Sequence, residues 1–436
     1  MNEKNITQDK RKQEGISMTS RERIKRAINH QETDRIPLDL GSTLVTGIQA
    51  SPYAKLRKAL SLKDRPVKVI DPFQILAEVE PEVREKLGVD TIGLWLPTNI
   101  FGFKNENWKP WKLFDGTKVM VPEKFITTTD AKGDIYIYPQ GDISAPPCAR
   151  MPNGGYYFDV LVRQEPIDEK NLNPEDWTKQ QFSVFSDEIL KYLEAMANDL
   201  YKNTDLCIVG EFIDAGFGDI ALVPGPSIKH PKGIRDQKEW YLAHILHPEY
   251  IKEIFNTQCE IALKNLELSY QAVGDKIDVI MVSGTDFGSQ NGPFISPDMY
   301  REFYKPFHKK INDWIHKNTP WKTFYHSCGS VFAFLDDFVE AGVDILNPVQ
   351  ISAKDMDPKV LKEKHGDRLV FWGGGVDTQK TLPFGNPEEV RNEVTDNCRI
   401  FGEGGGYVFN TVHNIQSKVP IDNLMAMFQA VKEFKF

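Results

Sequence analysis

Trp321-Lys322-Thr323-Phe324-Tyr325-His326-Ser327-Cys328-Gly329-Ser330 runs from apolar and aromatic residues into His-x-Cys-Gly, and Val331-Phe332-Ala333-Phe334-Leu335-Asp336-Asp337-Phe338 follows it with helical spacing. In an extended strand, residues two apart point to the same side, so His326 and Cys328 emerge together where a strand gives way to a helix. A neutral imidazole and a thiolate are preferred zinc ligands, and this spacing suits them. Two ligands are too few for a metal site. The pair also reads as a hydrogen-bonded histidine beside a small, buried, apolar cysteine.

Working outward, the strand-like runs 206–212, 279–283, 344–348, 369–373 and 407–410 flank this one and alternate with helical patterns such as 248–272 and 387–401. Strands alternating with helices of this length predict a parallel sheet, and with 35–41 and 91–96 there are about eight such units, the number that closes a (β/α)8 TIM barrel. The fold class is therefore α/β. From 97 to 185 the pattern loosens, and Asp115-Gly116, Lys132-Gly133-Asp134 and Asn153-Gly154-Gly155 punctuate short alternating runs, which predicts a β-rich insertion. The aromatics from its leading edge onward, Trp95, Phe101, Phe103, Trp108, Trp111, Tyr156, Tyr157 and Phe158, either pack the insertion or line an apolar substrate site. Thr19-Ser20-Arg21-Glu22 resembles a capping box, so a single domain is expected over 19–436 behind a disordered tail over 1–18.

Composition narrows the functions. The 436 residues include 40% hydrophobic ones, enough for a sizeable core, and the formal charge of −9 argues against nucleic acid and anionic membranes as partners. Five widely spaced cysteines do not form a disulfide framework, and the polar start of the chain lacks the apolar centre of a signal peptide, so a cytoplasmic protein is expected. Small molecules and protein partners remain, and a homodimer is left open.

Strand after strand ends in polar residues or glycine: Asp39, Glu211, Asp286, His326 with Cys328, Asn347 with Gln350, Gly373-Gly374-Gly375-Val376-Asp377, and Asn410 with His413. In a TIM barrel the site is built at the C-terminal ends of the strands, so these residues are expected at one mouth. His413, just past the last strand, is the candidate third ligand. Cys398 competes with it, but its spacing with Val390, Val394 and Phe401 puts it on the apolar face of a helix. Three ligands would leave a fourth position open, as catalytic zinc requires. Glu211, Asp286 and Asn347 are then candidate catalytic or ligand-supporting groups and Asp39, Tyr325, Gln350, Trp372 and Asp377 candidate substrate contacts, although each taken singly also reads as structural.

Tyr325-His326-Ser327-Cys328-Gly329, Gly342 to Gln350, Gly373-Gly374-Gly375-Val376-Asp377-Thr378-Gln379, Asp286-Phe287-Gly288-Ser289-Gln290 and the glycine-rich strand before His413 resemble the uroporphyrinogen decarboxylase superfamily, and within it the corrinoid-dependent methyltransferases. That resemblance implies a barrel and, for the methyltransferase branch, a zinc held by His-x-Cys and a distant cysteine. His326 and Cys328 match, whereas His413 stands at the distant position. The decarboxylases meet their polycarboxylate substrate with an arginine after the first strand, and Leu40-Gly41-Ser42-Thr43-Leu44-Val45 has none.

The expected activity is therefore zinc-dependent transfer of a methyl group from a small methylated compound, an aromatic methyl ether first, to the cobalt of a corrinoid. No Asp-x-His-x-x-Gly motif is visible, so the corrinoid is expected on a separate protein. A methylcobamide:thiol methyltransferase, a decarboxylase and a noncatalytic barrel are the alternatives.

Overall fold

Alternating the inward and outward side chains of parallel strands gives two apolar layers, and the molecule is organised around that division. The structure is a computed structural model describing residues 18–219 and 225–435. The tail expected over 1–18 lies, Met18 apart, outside the described residues.

Seven parallel strands form one curved sheet: Thr91–Trp95, Cys207–Glu211, Val279–Ser283, Lys322–His326, Ile345–Asn347, Val370–Trp372 and Tyr407–Val408, each paired with the next. The segment around Leu38 closes the ring. Asp39 N–H donates to the Phe409 carbonyl at 2.9 Å on one side, and Asp90 N–H donates to the Leu38 carbonyl at 2.8 Å on the other. This eighth position is too short to count as a strand, being pinned by a single bridge between Leu38 and Phe409. The architecture is the α/β barrel that the alternation of strands and helices predicts.

Val209, Val279, Phe324, Ile345, Val370, Trp372 and Val408 fill the interior, while Ile208, Ile280, Tyr325, Leu346 and Phe371 face the surrounding helices. Burying each such side chain is worth about 1.5–3 kcal/mol, which makes a one-residue slip of any strand prohibitive. Helix Ser20–Ala27 stoppers the N-terminal end with Ile24, Ala27 and Ile28, and it opens on the expected capping box between Thr19 and Glu22. Arg23 ties the stopper down through Asp34 and the buried Asp90, at 2.6 and 2.7 Å.

Between the first two sheet strands, Lys118–Val121 runs parallel to Val67–Asp71 and antiparallel to Lys109–Lys112, and Thr127–Thr129, Ile135–Ile137, Ala149–Met151 and Asp159–Val160 form an antiparallel meander. The strands stop at Val160, and the remainder of the segment expected to be β-rich holds the helix Glu175–Gln181, which begins after Pro174 with two acidic residues in its first turn. Phe101, Phe103, Phe125 and Phe158 stack on one another and are buried. They pack the insertion.

Candidate functional site

Strand parity decides which side chains reach the mouth. Val209, Phe324, Ile345 and Val408 face inward, so Glu211, His326, Asn347 and Asn410, two positions further on, also face inward at the C-terminal end. Tyr325 has the opposite parity. Its ring meets His308 edge-on and its hydroxyl donates to Asn312 Oδ1 at 3.0 Å, so it packs under the outer helices and is not the substrate contact that the sequence suggests.

Beyond His326 the backbone turns at Gly329 with φ +83°, where a Cβ would overlap the Gly288 carbonyl. That close approach locks two loops together. Cys328 N–H donates to Asp286 Oδ1 at 2.6 Å, Ser330 N–H to the Ser289 carbonyl at 2.8 Å, and Gly329 N–H to Gln350 Oε1 at 2.8 Å. Gln350 and Asp286 therefore support the cysteine loop.

His326 Nδ1 lies 2.6 Å from Asn347 Oδ1, and Asn347 Nδ2 donates to the Trp372 carbonyl at 2.7 Å. The second bond fixes the amide, so Oδ1 must accept and Nδ1 must carry the proton of the neutral ring. The lone pair is then on Nε2, which faces Cys328 Sγ at 3.3 Å. His413 arrives from the loop after Tyr407–Val408, its ring centroid 5.0 Å from that of His326. Ligand atoms of His326, Cys328 and His413 all lie within 4.8 Å of one another.

Burial pulls the His326 imidazole down to about 4 and, together with the neighbouring His326, the His413 imidazole down to about 3, so both rings are neutral near pH 7. Burial and the Asp286 carboxylate hold the Cys328 thiol well above its usual range. Such a group stays a thiol unless a cation replaces its proton.

Zinc fits this donor set. A tetrahedral ion with ordinary bond lengths separates sulfur from nitrogen by about 3.6 Å, close to the 3.3 Å between Cys328 Sγ and His326 Nε2. His413 is less prepared. Asn414 N–H donates to its Nδ1 at 2.7 Å, leaving the neutral ring's proton on Nε2, so a cation must displace one of these two hydrogens.

The remaining expected residues divide by depth. Asp286 is in the mouth, 3.8 Å from His326 Nε2, and burial raises its carboxyl against the pull of the Cys328 amide and His413. Glu211 is half-buried at the mouth and accepts from Leu44 N–H at 2.8 Å. Asp39 lies beneath it, 1% exposed, its oxygens taken by Thr91 Oγ1, Ser42 Oγ and Trp372 Nε1 at 2.5, 2.9 and 2.8 Å. Asp39 and Trp372 thus brace the barrel interior, and neither is a substrate contact. Asp377 is a turn residue, accepting from Gln379 N–H at 2.7 Å while its own N–H donates to Glu393. Phe287 packs against Tyr300, Tyr304 and Phe334 in the outer layer. Cys398 is fully buried on helix Pro387–Gly402, away from the metal cluster.

One part of the site has no clear sequence signal. Asn414 Nδ2 donates to the Leu44 carbonyl and to Gln74 Oε1, both at 2.9 Å, tying the loop after the closing segment to the residue beside His413. Only the adjacency of Asn414 to His413 points to it.

Residues 232–434 match the family described as uroporphyrinogen decarboxylase (URO-D). A uroporphyrinogen decarboxylase from Coxiella burnetii (strain RSA 493 / Nine Mile phase I) is 25% identical over 189 residues, 42% of this chain and 48% of the relative. One from Chlorobium phaeobacteroides is 28% identical over 145 residues, 32% of this chain and 38% of the relative. The chain thus spans about half the length, or less, of the curated relatives it matches. A solved methyltransferase from Methanosarcina mazei superposes over 96% of this chain and 99% of its own with a TM-score of 0.54 at 16% identity, a likeness of fold. The segment 232–434 that matches this family carries His326, Cys328 and His413, and together with the barrel this likeness fits the uroporphyrinogen decarboxylase superfamily.

Proposed function

We propose that the protein is a zinc-dependent methyltransferase that takes a methyl group from a small methylated compound and passes it to the cobalt of a corrinoid carried by a separate protein. The observation that carries this reading is the His326, Cys328, His413 cluster at the barrel mouth, a three-donor set one short of the four that tetrahedral zinc takes. Zinc bound there would supply Lewis acidity to an ether or hydroxyl oxygen, or bind a thiol as thiolate. Two neutral rings and one thiolate leave such an ion more positive than a ring and two thiolates do, which favours oxygen over a thiol.

The chain's own residues supply order. Asn347 fixes the tautomer and direction of His326, and Asp286 holds the Cys328 backbone where the thiol meets Nε2. Trp95, two residues beyond the inward-lying Gly93 and close over it, is half-buried and bears on Glu211, and it supports an aromatic methyl ether as the first substrate to test. Phe287, Tyr325 and Trp372 lend that choice nothing, since they are packed elsewhere.

Decarboxylation is the second reading, favoured by the names of the curated relatives. The loop 40–45 after the closing segment has no arginine to meet a polycarboxylate, which disfavours it. The test is zinc-loaded protein mixed with a reduced corrinoid protein and a panel of methoxylated aromatics, methanol and methylamines. Methylcobalt is expected with a methoxylated aromatic and is lost in His326→Ala and Cys328→Ala; carbon dioxide release from a carboxylated substrate, with no methylcobalt from any donor, overturns the proposal.

A further inference from the structure

We propose that Glu211 is a further catalytic residue, a carboxylic acid that gives its proton to the substrate oxygen from which the methyl group departs. The inference rests on the methyl-transfer reading and names its substrate class: methyl ethers and methanol, compounds whose oxygen is a poor leaving group.

Three observations converge. Parity places Glu211 at the inward end of Cys207–Glu211, directly above Val209, in the ring of end positions that also contains His326 and Asn347. A carboxyl at this height stands where every deeper inward neighbour on its strand is apolar. Second, no lysine or arginine among the described residues forms an ion pair with it, and the charged group that acts on it is Asp71. Burial, reinforced by Asp71 and offset in part by the Leu44 amide, pushes the carboxyl up to about 8. It therefore keeps a proton at neutral pH, as a general acid must. Third, one peptide holds it in register with the metal donors. Leu44 N–H donates to Glu211 Oε2 at 2.8 Å, the Leu44 carbonyl accepts from Asn414 Nδ2 at 2.9 Å, and Asn414 N–H donates to His413 Nδ1 at 2.7 Å. Leu44 N–H engages Oε2, and the Trp95 indole also acts on the carboxyl as a donor.

The bond between methyl carbon and oxygen breaks, the carbon bonds to the reduced cobalt of the carrier, and the electron pair of the broken bond remains on oxygen. The proton of Glu211 passes to that oxygen, releasing a neutral alcohol or phenol and leaving a carboxylate that solvent reprotonates.

Two readouts test this on the full chain. An infrared difference spectrum between metal-free wild type and Glu211→Gln at pH 7 should contain the carbonyl stretch of a protonated carboxyl, shifted when a methoxyarene or phenol is added; carboxylate bands alone, or a band that ignores both ligands, overturn the proposal. In methyl transfer with zinc content matched, Glu211→Gln should lose about 10²–10⁴-fold with methanol and anisole and about threefold or less with a nitrophenyl methyl ether, whose leaving group needs no proton. A loss of equal size across that series, or none, also overturns it. Glu211→Asp, which keeps the acid but draws it back, should fall between the two and covers the case in which Glu211→Gln does not fold. Should wild type move no methyl group from any donor, the methyltransferase reading fails by itself, and the infrared shift still decides whether Glu211 donates to a substrate oxygen.

Discussion

Asn347 shows how much of the candidate site depends on groups that would never touch a metal. Its amide is fixed by the Trp372 carbonyl and so dictates which nitrogen of His326 is free. Asn347→Ala should lower zinc affinity by about 10–100-fold while leaving the fold intact, measured by competition with a chromophoric chelator. Glu211 has a stability signature of its own. Its carboxyl is raised from the ordinary 4.5 to about 8, so between these values the folded chain holds a proton that the unfolded chain has lost. Stability due to this group is full below pH 4.5 and declines as pH rises toward 8. Glu211→Gln lacks the linkage, so in metal-free protein the melting temperature of the variant minus that of wild type should rise from pH 5 to pH 8, and a difference that stays constant or falls contradicts the assignment.

At the scale of elements, the His-x-Cys loop is held by close backbone approach. Gly329 has φ +83° and no room for a Cβ beside Gly288. Gly329→Ala should cost at least about 1–3 kcal/mol in denaturant unfolding and weaken zinc binding, because Cys328 moves with the loop. The same elements explain what was legible in the chain. Hydrophobic alternation fixes which residue of each strand faces inward, and a two-residue step past the apolar interior names Glu211, His326 and Asn347 without coordinates. The identical rule excludes Tyr325, a neighbour of His326 on the opposite face. Asp39 and Trp372 obey the parity yet fall short of the mouth, because depth along a barrel depends on strand stagger, which a single sequence does not encode. The Leu44 to Asn414 contact joins residues 370 positions apart and is set by ring closure alone.

The whole molecule makes one site from separated segments because the ring closes. The Leu38 segment lies between Asp90 and Phe409, which brings Leu44 beside Asn414 and lets the loop after Tyr407–Val408 reach back to Lys322–His326. Tying down the opposite end with helix Ser20–Ala27 leaves the mouth as the open face of the barrel. No helix among the described residues is long and apolar enough to cross a membrane. The proposed function requires side chains from two distant stretches to share an ion. X-ray absorption at the zinc edge of the purified protein tests it most directly: about one zinc per chain with one sulfur at about 2.3 Å and two imidazole nitrogens at about 2.0–2.1 Å is expected, the sulfur vanishing in Cys328→Ser and one nitrogen in His413→Ala. Protein that binds no zinc, or a coordination shell that neither substitution alters, contradicts it.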